Sequence, residues 1–206
     1  VSDKRAWHQA TDELGTRFEI SFNTYKPFAC GVVIHPVIDA CAQLRERGIA
    51  ADRIAKIELR VHPLVLELTG RKEPHDGLAA KFSVYHGAAA GLLFGRAGEA
   101  EFADAVVTRD DVVALRRKVE ATVDPSIDEA AADLVAVLTN GERVHVRVEH
   151  ALGSLQRPLS DAQLDVKFAA LVEPVLGAAK VAALAEACRG LAGLGEVRAL
   201  TALCRP

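Results

Sequence analysis

Methionine is absent from this chain, which opens on Val1. A natural gene product starts with methionine, though cells can remove it, so the expectation is that the start of this chain is not the start of the protein. No apolar run approaches the ~20 residues that span a bilayer, and no charged-then-apolar leader opens the sequence. The expected compartment is therefore the cytoplasm, with no membrane partner. Cys30, Cys41, Cys188 and Cys204 form no CxxC pair and no repeating interval. That excludes a structural zinc ribbon and argues for free thiols in a reducing compartment. The histidines include no HxH or HExxH, so no metal site is expected. Nucleotide motifs are missing as well: there is no GxGxxG, no GxSxG elbow and no Walker loop. The glycines of "GLLFGRAG" lack the lysine and hydroxyl that a phosphate loop needs. Basic residues are scattered apart from Arg71-Lys72 and Arg116-Arg117, and the net charge is −3. A nucleic-acid partner, which needs a clustered positive patch, is excluded.

Half of the 206 residues are hydrophobic, enough for a sizeable core, and a mixed strand–helix block between helical ends suits an α+β chain. "DKRAWHQATDEL" predicts a short helix over 3–14 stopped by Gly15. "RFEISFN" alternates Phe18, Ile20 and Phe22 with polar residues and predicts a strand. A helix starts near Pro36 and closes at Gly48. "AKIELRVHP" predicts a strand with Ile57, Leu59 and Val61 on one face. "LVLELTG" is a short helix or turn. "HDGLAAKFSVYHGAAAGLLFG" predicts one long helix capped by Asp76 and stopped by Gly95, with small residues from Gly87 to Gly91 that admit a close neighbour. "TRDDVVALRRKV" predicts a helix capped by Thr108. Asn140-Gly141 marks a tight hairpin with Val144, Val146 and Val148 inward and Arg143, His145 and Arg147 in water. After Gly153 the texture is helical and alanine-rich.

Candidate site residues cluster in "NTYKPFACGVVIHPVIDA". Lys26 is costly to bury unpaired. It is either a lysine that reaches water or a cation set for a carboxylate. Amide groups at the start of the Pro36 helix would add a positive dipole end, and Gly31 would let backbone approach a ligand. His35 is either a surface or capping histidine or a donor to that carboxylate. Lys81 and Tyr85, four apart on one helix, would share a face, with Lys81 tuning the Tyr85 phenol. His86 would project about 100° further round. Each of these also has a plain structural reading, a core aromatic for Tyr85 above all.

Four blocks, "TYKPFACGVVIHPVIDA", "IELRVHPLVLELTG", "DGLAAKFSVYHGAAAGLLFG" and "GSLQRPLSDAQLDVKF", resemble the MmgE/PrpD family in order and spacing. The resemblance implies a mixed α+β lid over residues 17–152. It is flanked by residues 1–16 and 153–206, which would belong to an all-helical domain whose bulk precedes this chain. It implies a homodimeric lyase or isomerase that works by acid–base chemistry next to a carboxylate of a small di- or tricarboxylate, without metal or organic cofactor. The other reading is a non-catalytic dicarboxylate-binding or dimerisation domain. Lys26 matches the family's K-P-[FY] lysine, and His35 the histidine before the following helix. Tyr85 and His86 match the KFS-x-Y-H block that Lys81 opens. The resemblance makes Tyr85, His86 and Lys26 catalytic, and Lys26, His35, Lys81 and Gly31 substrate-binding. Decarboxylase-like members carry a histidine five positions after the lysine, where this chain has Gly31.

Overall fold

A computed structural model describes residues 4–205. Its elements run α1 (His35–Glu46), β1 (Ile54–Val61), α2 (Pro63–Thr69), α3 (Gly77–Ala80), α4 (Val84–Phe94), α5 (Asp104–Val107), α6 (Asp110–Arg116), β2 (Val119–Val123), β3 (Ala132–Leu138), β4 (Arg143–Val148), α7 (Asp161–Leu176), α8 (Ala178–Arg189) and α9 (Val197–Leu203). No helix among the described residues is long and apolar enough to cross a membrane. The architecture is α+β, with a sheet ordered β2-β1-β3-β4. β2 lies parallel to β1 after a helical crossover, while β3 and β4 are antiparallel neighbours. Ile54, Ile57, Leu59 and Val61 of β1 face a core shared with α1 and α4. The contiguous core extends from Phe28 to Ala151.

The hairpin forms as its turn residues require, with Gly141 at φ +87°. Its outer face is wet and ion-paired: Arg143 meets Glu58 at 2.6 Å and Arg147 meets Asp133 at 3.3 Å. Strand β2 was not visible in the sequence reading, because parallel pairing is made only through the distant β1.

Four local expectations are corrected. The long helix over 76–95 is two helices. Asp76 caps the first as expected, and Gly95 stops the second at φ +69°. Between them Ser83 Oγ accepts the His86 amide and donates to the Arg71 carbonyl, so the side chain starts a new helix. Thr108 does not cap α6. Its hydroxyl donates to the Asp104 carbonyl, closing α5, and Arg109 is the N-cap residue of α6. Residues 17–23 form no strand: Glu19–Phe22 is a 3₁₀ turn with local bonds such as Ser21 N to Phe18 O. Phe18, Ile20 and Phe22 stand exposed, so the alternating pattern has no sheet to pair with.

The helix predicted over 3–14 shrinks to a 3₁₀ turn at Trp7–Ala10, Asp3 lying outside the described residues. A helix that short needs a buried face to persist, and Trp7 is 78% exposed. Helices α7 to α9 likewise leave Val166, Leu171, Val175 and Val197 exposed.

The glycine-rich run works as expected. A Cβ at Gly91 would lie 2.6 Å from the Ile38 carbonyl oxygen and 2.9 Å from Cys41 Cβ, so α4 crosses α1 backbone to side chain. Gly91→Ala forces the two helices apart and is expected to cost about 1–3 kcal/mol, despite alanine's better helix propensity. Urea unfolding checks this: the midpoint should fall with an unchanged slope.

Candidate functional site

The site is built on the loop between residues 26 and 35. Phe28 and Cys30 are buried and anchor it. Ala29 N donates to the Ala97 carbonyl at 2.8 Å, and Gly31 N to the Lys81 carbonyl at 3.2 Å. The Lys26 ammonium folds back to donate to the Cys30 carbonyl at 3.2 Å. Gly31 gives room within the protein: a Cβ there would meet Thr69 Cγ2 at 3.3 Å.

His35 is the first residue of α1. It is 4% exposed, edge-on to Phe28 at 5.3 Å, and its Nε2 has no hydrogen-bond partner. Burial lowers its pKa to about 4, and the charges of Lys26 and Lys167 push the same way against the pull of the Cys30 and Phe28 carbonyls. At neutral pH it is an uncharged imidazole beside two cations. The amides nearest the start of this helix are already used. Ile34 N and His35 N already bond the Gly31 and Val32 carbonyls, and Pro36 has no N–H.

Lys167, from α7, was missed by the sequence reading. Its ammonium donates to the Lys26 carbonyl at 2.8 Å. The residue lies in a block quoted for its family wording, but nothing local reports that α7 returns to this loop. Among the described residues no carboxylate is ion-paired with Lys26 or Lys167. Lys81 also approaches, since its charge and that of Lys26 both act on the Cys30 thiol. Burial dominates there and pushes that thiol up to about 12. The Lys81 ammonium is itself held by Glu99 at 2.7 Å.

Tyr85 and His86 part company. Tyr85 is buried on α4, and burial raises its phenol above the ordinary range. The helix break puts Lys81 off the Tyr85 helix, and the cation over the tyrosine ring is Lys72, 5.9 Å from its centroid. The expected tuning of Tyr85 by Lys81 is therefore corrected to control by burial. His86 is fully buried, with Nε2 3.0 Å from the Glu101 carbonyl oxygen and its ring 5.2 Å from that of Phe102. Burial lowers its pKa, and the Arg116 charge adds to that. These contacts lie on the Glu101–Phe102 turn and α6, none of them with the Lys26 loop. Neutral His86 is held as a core histidine.

Two shallow grooves, one of about 380 Å³, run between α7 and α8 along Phe168 and Ala185. They are lined mainly by apolar side chains, and only the one of about 380 Å³ includes a residue of the loop site, Lys167. No cluster of three or more His, Cys, Asp or Glu able to hold a metal occurs among the described residues.

The loop thus brings Lys26 and Lys167, neither ion-paired with a carboxylate among the described residues, near a neutral buried histidine. Comparison with known proteins gives it a context. The family description "MmgE/PrpD C-terminal domain" matches residues 28–191, starting just after Lys26. Cis-aconitate decarboxylase of Homo sapiens is 28% identical over 191 residues, covering 88% of this chain and 39% of the relative. The Mus musculus protein of the same name is 27% identical over 192 residues, with 88% and 39% covered. The chain thus spans about two fifths of the length of these curated relatives. The chain belongs to the MmgE/PrpD family, and residues 28–191 are its C-terminal domain.

Proposed function

We propose that this chain is the C-terminal, substrate-contacting part of a cytoplasmic lyase or isomerase that acts next to a carboxylate of a small di- or tricarboxylate, without metal or organic cofactor. The observation that carries the reading is the pair Lys26 and Lys167, whose ammonium groups meet carbonyl oxygens and no carboxylate among the described residues. Lys26 is exposed and Lys167 half-buried, so a substrate carboxylate would reach both ammonium groups and supply a counter-charge. Chemistry at a carbon next to a carboxylate gathers negative charge on its oxygens, and fixed cations and donors aimed there stabilise it. Lys26 binds that carboxylate, with Lys167 beside it. His35, neutral and with a free ring nitrogen, hydrogen-bonds the substrate or carries a proton. Tyr85, protonated at neutral pH, donates one. Lys81, tied to Glu99, shapes the loop through its carbonyl.

On this reading residues 17–152 form the lid. Residues 1–16 and 153–206 belong to a helical body to which the relatives' remaining length corresponds, and the assembled enzyme is a homodimer. The exposed Trp7, Phe18 and Val166 fit surfaces made to be covered. The same exposure favours a second reading, a domain that binds a dicarboxylate or dimerises without performing chemistry.

Isothermal titration with citrate as the probe tests the first step. Lys26→Met keeps the unbranched apolar stem, one atom shorter, and removes the ammonium group. It is expected to weaken citrate binding by about tenfold or more, the worth of one charge-assisted hydrogen bond of about 1.5–3 kcal/mol. Equal affinity of parent and variant would remove Lys26 from the site. Citrate binding with no turnover of any di- or tricarboxylate would favour the second reading.

A further inference from the structure

Two stretches join the sheet-bearing core to the residues on either side of it, and they touch. Gly153, at φ +86°, has the Tyr25 carbonyl oxygen 2.4 Å and Pro27 Cδ 2.6 Å from where a Cβ would stand. Lys26 is the residue between these two contacts, so the backbone that carries the cation rests against Gly153. The turn that holds Gly153 is closed on itself: Gly153 N donates to the Arg157 carbonyl at 2.7 Å, and Arg157 N to Ser154 Oγ at 3.2 Å.

The turn is pinned to α1 by one carboxylate. Asp39 is buried, and its Oδ2 accepts from Leu152 N at 3.0 Å and from Arg157 Nη1 at 2.7 Å. Its Oδ1 accepts from Gln43 Nε2 at 3.0 Å. Arg157 Nη1 also donates to the His150 carbonyl at 2.9 Å, so a single nitrogen ties both ends of the turn to the helix. Asp39 stands four residues after His35, one helical turn along the same face of α1. One face of one helix therefore presents His35 to the site and Asp39 to the turn behind it.

We propose that Asp39 and Arg157 form a positioning clasp for the Lys26 site. The clasp seats the 150–157 turn on α1, Gly153 then fixes the backbone at Tyr25–Pro27, and the Lys26 ammonium is held at the Cys30 carbonyl beside His35. Arg157 makes no hydrogen bond to Lys26 and acts through the turn. The functional half of this inference rests on the reading of Lys26 as the carboxylate-binding cation; the geometric half does not.

The experiment uses the full chain as parent, Arg157→Ala and Arg157→Lys. Arg157 is an exposed side chain, so the core survives its truncation. Thermal melting reports the fold, and trace acylation with acetic anhydride, read by peptide mass spectrometry, reports Lys26 with Lys56 as internal reference. Arg157→Ala is expected to raise Lys26 acylation relative to Lys56 by a factor of about 3 or more, as a restrained segment opens locally. Arg157→Lys is expected to restore the parent ratio, because one nitrogen makes both side-chain bonds. An Arg157→Ala protein that melts lower but keeps the parent Lys26 ratio would overturn the clasp and leave Arg157 a stabilising residue only. Citrate titration of the same proteins separates the two halves. A parent that binds citrate, with affinity about tenfold weaker in Arg157→Ala, supports both. A parent that binds none overturns the carboxylate reading while the acylation ratio still decides the clasp.

Discussion

Replacing Tyr85 by phenylalanine is expected to lower turnover by about 10²–10⁴-fold, the usual worth of a positioned acid–base group. The variant removes one oxygen and leaves the ring in its packing on α4, under the Lys72 ammonium. Burial lifts the Tyr85 phenol above its ordinary range, so at neutral pH it holds its proton and acts first as donor. A donor used at the transition state and not for ground-state binding should be lost from kcat with KM held within about threefold. Steady-state rates on the di- or tricarboxylate that the intact enzyme consumes provide the measurement. Turnover within a few-fold of the parent would remove Tyr85 from the chemistry and leave it a core aromatic. The matching His86→Asn change has a different expected signature. Its Nε2 is committed to the Glu101 carbonyl and its ring packs on Phe102, while Nδ1 has no partner, so stability falls and kcat follows only as far as folded protein is lost.

The contrast between these neighbours shows how far the sequence could be read. Adjacent residues on a helix diverge by about 100°, so Tyr85 and His86 were bound to face different surroundings, but only the tertiary structure says which surroundings. What was legible was local. The alternation of Ile57, Leu59 and Val61, the Asn140-Gly141 turn, the Asp76 cap and the Gly95 stop all depend on residues within a few positions of one another. The loop that carries Lys26, Gly31 and His35 was legible as a unit for the same reason.

What failed depended on distant partners. The break at Ser83 rests on the Arg71 carbonyl, and β2 exists only because β1 accepts it in parallel. Lys167 reaches Lys26 across 141 residues, with no local pattern to announce it. The strand expected at Phe18–Phe22 failed in the opposite sense, since its amphipathic pattern is present but no covering surface lies among the described residues.

Stability is expected to fall by roughly 3 kcal/mol as the pH drops from about 7 to about 4, through His35 alone, each unit of pKa shift being worth ~1.4 kcal/mol. The sign follows from the proton balance. The unfolded chain takes up a proton at the ordinary histidine value of 6.5, whereas folded His35 resists until about 4. The stabilisation is therefore complete above 6.5, erodes as the pH falls through that window and is gone below about 4. Burial is the larger cause and the Lys26 charge the next, so the cation that serves the site also makes acid more damaging. His86, lowered by burial and by Arg116, erodes stability in the same direction.

The ion-paired carboxylates act lower on the scale. Glu58 beside Arg143 and Asp111 beside Arg109 are held below the ordinary carboxylate range. They are mostly ionised in both states at pH 5–7, so most of a slope between pH 7 and 6 belongs to the histidines. Urea unfolding at pH 7, 6 and 5 on the parent and on His35→Gln separates the groups. The variant is expected to start less stable, because an amide replaces a packed ring against Phe28, yet to lose less stability per pH unit. Parallel slopes in parent and variant would mean that His35 does not resist protonation in the fold, and the neutral imidazole assigned to the site would have to be given up.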